Sequence, residues 1–143
     1  MGCRHQSVVR GAFAAGHSDE AVKQLIHYSQ RRLLGTHVPY PVEAYPEGSQ
    51  RHLSAESGLF CRVITEGLFG IRPTGFNSFS LKTQLPSGWD RMALRHIKAF
   101  ASDFDIEAVR VSPTKIKVTV SKAGGKTKEY VVKPGQLISV TLN

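Results

Sequence analysis

The stretch that decides the fold is residues 54–85, SAESGLFCRVITEGLFGIRPTGFNSFSLKTQL, in which the apolar spacing changes from that of a helix to that of a strand. Ser54 is a favourable N-cap residue, and Gly70 with Pro73 ends the helix. Its apolar stripe consists of Ala55, Leu59, Phe60, Val63, Ile64 and Leu68. From Phe79 to Leu85 every second residue is less polar, which predicts a strand.

Upstream of this stretch the spacing predicts a helical hairpin. Val8, Val9, Ala12 and Phe13 indicate a short first helix that ends at Gly16. Ser18 caps a second helix, which carries an apolar face and ends at Gly35; that face consists of Val22, Leu25, Ile26 and Leu33. Residues 36–53 are rich in proline and tyrosine and predict a loop, and loops of this length are usually functional.

Downstream the pattern is that of short strands. In KIKVTV, residues 115–120, the apolar positions Ile116, Val118 and Val120 alternate with polar ones, and AGGK at residues 123–126 is a strong hairpin turn. Residues 92–100 and 104–111 are less regular and suggest bulges, and two further strands follow the turn. About six strands after three helices predict an α+β fold, with a helical part at residues 1–72 and an antiparallel, sandwich-like β module at residues 73–143.

Composition limits the functional classes. The chain has 143 residues, 41% of them hydrophobic and 21% charged, with a net charge of +8. These values are typical of a globular protein, and no apolar run approaches the roughly 20 residues of a membrane helix. Nucleic-acid binding has to be considered, but the basic residues are scattered, and the lysines between residues 115 and 133 are explained by strands with one solvated face.

Cysteine and histidine spacing predicts neither a metal site nor a cofactor. The two cysteines lie far apart, and the six histidines form no close pair. Cys61 falls within the apolar third helix and is expected to be a small buried hydrophobic residue. Glu66 lies deep in the same helix, where a contact with the backbone or with an arginine such as Arg72 is expected.

The chain resembles a known enzyme family over most of its length. The matching segments are residues 38–90 and 92–109, and the most specific motifs are HLSAESGLF at residues 52–60 and EGLFGIRPTG at residues 66–75. They resemble the C-terminal end of bacterial six-hairpin glycoside hydrolases, which are built on an (α/α)6 barrel, and most closely the α-L-rhamnosidase-like members. The motifs do not specify a sugar.

The resemblance implies that the chain supplies the terminal hairpin and last helix of such a barrel, followed by the C-terminal β module. Its partners are then a carbohydrate and the missing N-terminal portion of the barrel, which carries the general acid. The chain alone is expected to be inactive and to associate through residues 1–70. The parent enzyme is expected in the periplasm or outside the cell.

The resemblance and helix physics both favour Glu56 as the general base of an inverting reaction. The family supplies its base from the loop before the last barrel helix or from the start of that helix, and Glu56 matches this place. A helix N-terminus also keeps a carboxylate ionised, as a base must be. Glu47 on the preceding loop is the rival base, Glu43 is a weaker one, and helix stabilisation alone is the alternative role of Glu56.

Four residues are candidates for binding the sugar. Arg51 and His52 offer hydrogen-bond donors, and Tyr45 and Trp89 offer rings that stack on sugar faces. Packing is the favoured alternative for Trp89, and Arg51 has an ion pair with Glu47 as its alternative. Two other functions stay open: a non-catalytic carbohydrate-binding or structural β module, and a basic nucleic-acid-binding protein.

Overall fold

The protein is mixed α+β, with three helices followed by two antiparallel sheets, in a computed structural model that describes residues 2–32 and 54–142. Side chains are described for residues 7–30 and 58–142. The chain divides into two compact units, residues 1–68 and residues 69–143, called here the helical unit and the β unit. In the described part of the chain, no helix is both long and apolar enough to cross a membrane.

The helical unit contains α1 (Gly2–Ala15), α2 (Ser18–Arg32) and α3 (Ser54–Arg62), and α3 continues into a π-helical turn at Val63–Leu68. The predicted tight turn between α1 and α2 is confirmed, since Gly16 has φ of +90° and its N–H donates to the carbonyl of Phe13. Phe13 is fully buried and lies against Gly67 of the π turn, where a side chain would come within 3.0 Å of its ring. α1 therefore packs on the end of the third helix.

Three apolar positions predicted to be buried in the helical unit are exposed. Val8 is 66% exposed and Ile26 is 48% exposed, whereas Val9 and Val22 are buried. Val8 lies about 100° around α1 from the buried Val9, whereas Ile26 lies only about 40° around α2 from the buried Val22 and so marks the edge of the buried face. Cys61 is exposed too, so its predicted burial is wrong; Val63 and Leu68 supply the buried side of this segment instead. Gly35 and Leu33 lie outside the described residues.

The β unit contains seven described strands in two antiparallel sheets. The first sheet has the order β1-β2-β7, with β1 at Arg72–Gly75, β2 at Ser78–Leu81 and β7 at Ile138–Thr141. The second has the order β3-β4-β5-β6. Its strands are β3 (Arg91–Ala99), β4 (Ser102–Ser112), β5 (Lys115–Lys122) and β6 (Thr127–Val132).

Two differences from the predicted strands have local causes. β1 was not predicted, because its sequence RPTG is short, fully exposed and contains a proline, which a sheet tolerates at an edge. The strand predicted for residues 79–85 ends at Leu81, because the Lys82 N–H leaves the ladder and donates to the Gly70 carbonyl at 3.2 Å. Thr83 and Leu85 stay buried in the irregular segment that follows.

The β5–β6 hairpin confirms the clearest sequence pattern. Ile116, Val118 and Val120 are buried, and the turn at residues 123–126 includes Gly124 with φ of +67°. The inner faces of the two sheets meet at stacked rings, because Phe79 of β2 lies 5.3 Å from Phe104 of β4 between ring centroids. Both residues are at most 1% exposed, and they form the core of the β unit.

We expect Gly70→Ala to destabilise the β unit more than Gly124→Ala does. Both glycines have a left-handed backbone, with φ of +66° and +67°, so both substitutions add strain of about 1–3 kcal/mol. Only at Gly70 would the new Cβ also meet backbone, at 2.5 Å from the Lys82 oxygen; at Gly124 nothing lies within 4 Å. Urea unfolding of both variants measures the difference, and equal losses would contradict the close approach at Gly70.

The predicted irregularity of the third strand is a β-bulge. The register of β3 and β4 shifts between Leu94 and Ile97, and His96 has φ of 54°. Asp105 of β4 holds the bulge: its Oδ1 accepts the His96 N–H at 2.8 Å, and its Oδ2 accepts from Arg95 at 3.1 Å. The carboxylate thus supplies acceptors where the ladder is interrupted.

The Asp105 contacts predict acid-sensitive stability. The pKa of Asp105 is lowered, chiefly by the hydrogen bond from the His96 backbone and in addition by Arg95. A lowered folded-state pKa gives stability that is present above the unfolded pKa, about 3.9, and is lost as the pH falls through the folded value. Carboxyl-carbon NMR should show Asp105 titrating below the usual range. Arg95→Gln should raise this pKa only in part, since the backbone donor stays. Titration at or above the usual range would contradict this account.

Candidate functional site

Glu56 lies in the first turn of α3, two residues after Ser54, where the helix begins. The backbone N–H groups at this end have no partner within the helix and give it a partial positive charge, which stabilises a carboxylate. The predicted helix start is therefore in place. The Glu56 side chain lies outside the described residues, so its role as general base stays a prediction.

Most of the other predicted site residues also lie outside the described part of the chain. These are the rival bases Glu47 and Glu43 and the predicted sugar-binding residues Tyr45, Arg51 and His52. The proposed concave surface shared by Glu56, Glu47, Arg51 and His52 is therefore still a prediction.

Trp89 is the predicted sugar-binding residue whose surroundings are described. It closes a turn of the β unit, where its N–H donates to the Pro86 carbonyl at 3.0 Å. Arg110 holds the same turn by donating to the carbonyls of Leu85, Pro86 and Trp89 at 2.8–3.3 Å. The side chain of Trp89 is 36% exposed, so part of its ring is available on the surface while its backbone is fixed.

Glu66 is held by two arginines, as the sequence predicted for a glutamate in this helix. Arg62, one turn earlier, donates from Nε to Oε1 and from Nη2 to Oε2, and Arg10 of α1 donates to Oε2 at 3.1 Å. The hydrogen bond and the charge of Glu66 raise the pKa of Arg62. This cluster ties α1 to the third helix, so Glu66 suits a structural role.

The sequence interpretation missed a cluster of lysines in the β unit. Lys122 of β5 and Lys128 of β6 were expected on a solvated face, but the strand register places them on the buried face. Lys122 pairs with Phe104 and Lys128 pairs with Val120, and cross-strand partners project to the same side of a sheet. The signal was available, since Ile116, Val118, Val120 and Lys122 are separated by two residues each. The solvated-face interpretation holds for Lys117, which pairs with Glu129 at 3.3 Å.

These inward lysines border an open groove of about 610 Å³. Its other described lining residues are Gly124, Gly125 and Lys126 of the hairpin turn, Val120 of β5, and Thr141 and Leu142 at the end of β7. The groove lies between β6, an edge strand of the second sheet, and the end of β7, an edge strand of the first. We call the surface formed by Lys122, Lys126 and Lys128 with these lining residues the lysine groove.

The described residues contain no group of three or more histidine, cysteine, aspartate and glutamate side chains that could hold a metal ion. No protein-family model, curated protein or solved structure matches the chain. We therefore infer a function from the residues, their geometry and the motifs quoted above.

Proposed function

We propose that the chain is the C-terminal part of an inverting glycoside hydrolase, with the terminal helices of an (α/α)6 barrel followed in the chain by a β module, and with Glu56 as the general base. The observation that carries the proposal is the position of Glu56 in the first turn of α3, within the segment that resembles the six-hairpin enzymes. An inverting enzyme needs a second carboxylate that activates water, opposite the acid that protonates the leaving oxygen.

Two further observations support this proposal. The order of a helical unit followed by an all-β unit is the order that the resemblance implies. In addition, α1 and α2 leave Val8 and Ile26 largely exposed, which suits helices that pack against further helices of a barrel. Glu66, in the π turn, is paired with Arg10 and Arg62, which suits a structural role for that glutamate.

In such an enzyme the general acid and most of the sugar-binding surface would lie in barrel helices outside residues 1–143. A base without its acid leaves the departing oxygen unprotonated, so the chain by itself should not hydrolyse glycosides. The helices should associate through their uncovered apolar side chains within residues 1–70.

The test compares the purified chain with a relative in which the same segment continues a complete barrel. On a panel of aryl glycosides, we expect turnover by the relative and none by the chain, and light scattering should show the chain to be self-associated. A monomeric chain that hydrolyses a glycoside would contradict the fragment proposal. A complete relative that hydrolyses no glycoside would contradict the proposed reaction.

A further inference from the structure

The β unit carries almost all of the net positive charge of the protein. Residues 69–143 contain twelve lysines and arginines and five aspartates and glutamates, a net charge of +7, whereas residues 1–68 contain seven and six, a net charge of +1. The two values add up to the net charge of +8 for the whole chain. A search for an anionic partner therefore begins in the β unit.

Four of the five acidic side chains of the β unit lie beside basic residues that do not line the lysine groove. Asp105 and Glu107 pair with Arg95, Glu107 also pairs with Arg91, and Glu129 pairs with Lys117. Asp103 lies 3.8 Å from His96. Among the described residues that line the groove three are lysines and none is acidic.

Two lysines of the groove, Lys122 and Lys128, are held in place by contacts with the rest of the β unit. The Lys128 ammonium donates to the Thr141 carbonyl at 2.7 Å and still has two N–H groups for a ligand. The aliphatic part of Lys122 packs beneath the hairpin turn, where a side chain at Gly125 would come within 3.0–3.2 Å of it. Both stems thus lie along the protein, which reduces the conformational entropy that binding would cost.

The groove combines aliphatic walls with cationic groups. The lysine stems line the groove together with Val120 and Leu142, which are themselves buried, and the volume lies within the range of about 300–1,000 Å³ that is typical of small-molecule sites. Lysine binds carboxylate or sulfate as a point charge and requires no planar partner. A sugar unit with an acidic substituent matches both properties, because its C–H face is apolar and its substituent is anionic.

We propose that the lysine groove binds the acidic sugar units, carboxylated or sulfated, of a polysaccharide. The choice of a polysaccharide as the source of the anion rests on the proposed function, whereas the anion site rests on the groove alone. Single-stranded nucleic acid fits less well, because no aromatic side chain is among the described lining residues and single strands are held largely by stacking on such rings; duplex DNA, which is bound through its phosphates, is compared directly in the test.

The test is a binding titration of the full chain with four probes at one ionic strength: oligogalacturonate, sulfated dextran oligomers, neutral dextran oligomers and duplex DNA. We expect the acidic glycans to bind and the neutral ones not to bind. The triple variant Lys122→Gln, Lys126→Gln and Lys128→Gln should lose about tenfold or more in affinity. The control triple Lys98→Gln, Lys115→Gln and Lys133→Gln removes the same charge elsewhere and should stay within about threefold of the parent.

A second measurement keeps the proposal testable if the groove variant does not fold. In the unmodified chain, oligogalacturonate should shift the amide NMR signals of Gly124, Gly125 and Leu142 more than those of β3. Equal losses of affinity in both triple variants would overturn the proposal in favour of diffuse charge, as would shifts spread over the whole β unit. Tighter binding of DNA through the same lysines would overturn the choice of a polysaccharide.

The result of the binding experiment can be distinguished from the result of the hydrolysis test of the proposed function. Binding by the groove does not require hydrolysis, so a relative that hydrolyses no glycoside would refute the catalytic proposal and leave the anion site standing. Conversely, a catalytically active relative together with a groove that binds no acidic glycan would refute this inference alone.

Discussion

In a relative with a complete barrel, replacing the glutamate that matches Glu56 by glutamine is expected to lower kcat by about 10²–10⁴-fold. Glutamine keeps the shape and the hydrogen-bonding capacity of the side chain at the start of α3 but cannot accept the proton of the attacking water. Substrate binding should change little, so KM should stay close to that of the parent. Steady-state kinetics on the best aryl glycoside measures both constants.

The chain offers a matched control for this substitution. Glu20 lies in the first turn of α2, two residues after Ser18, as Glu56 lies two residues after Ser54. The counterpart of Glu20→Gln removes a carboxylate from an equivalent helix position, so it has the same effect on the helix dipole, about 0.3–1 kcal/mol. It should leave kcat unchanged. Added azide should restore turnover to the variant at the Glu56 position, since this anion attacks without a base. A Glu56 variant within about threefold of the parent would refute the assignment.

The largest expected effect on stability is that of Phe104→Ala, which should lower the free energy of unfolding of the β unit by about 3–5 kcal/mol. Phe104 is 1% exposed, and its ring contacts Phe79 from the other sheet and Phe100 from the turn between β3 and β4. Phe79 also stacks on Phe100 with 5.2 Å between ring centroids. Truncation thus leaves a cavity where the two sheets meet.

Phe76→Ala is the control for that experiment. Phe76 lies in the turn between β1 and β2 and is fully exposed, so its removal should change stability by no more than about 0.5 kcal/mol. Urea unfolding followed by circular dichroism, with amide exchange in β4 and β5 to assign the transition to the β unit, measures both variants. Similar losses for the two substitutions would mean that the Phe79–Phe104 contact does not hold the sheets together.

Local signals were sufficient for much of the fold. The helices α2 and α3 begin at Ser18 and Ser54, the two serines that the sequence marks as helix starts, and Gly124 turns its hairpin because it adopts a positive φ without a Cβ. The alternation of Ile116, Val118 and Val120 predicted a strand with one buried face. Each of these features depends on residues within a few positions of one another.

The errors came from contacts between distant parts of the chain. Apolar spacing defines an inward stripe only to within about one residue, so Val8, Ile26 and Cys61 were placed inside although their helices turn them outward. Lys122 and Lys128 were placed outside because charge usually marks the solvated face, yet their cross-strand partners Phe104 and Val120 belong to the buried face. Strand register, rather than composition, decides such positions.

For the candidate site, sequence supplied the position of Glu56 at the start of a helix but not its distance from a second carboxylate. The partner of Glu66 was predicted by type, an arginine, while the identities Arg10 and Arg62 depend on the packing of α1 against the π turn. An acid and a base that come from different parts of a barrel are likewise brought together by tertiary packing.

The most direct test of the central claim, that Glu56 serves as a base for water and not as a nucleophile, is the anomeric configuration of the first-formed sugar. Proton NMR of the reaction of a barrel-containing relative, recorded before mutarotation, should show inversion, because one displacement by activated water reverses the configuration. A product with retained configuration would contradict this account, since it requires a covalent glycosyl-enzyme and therefore a nucleophile in place of a base.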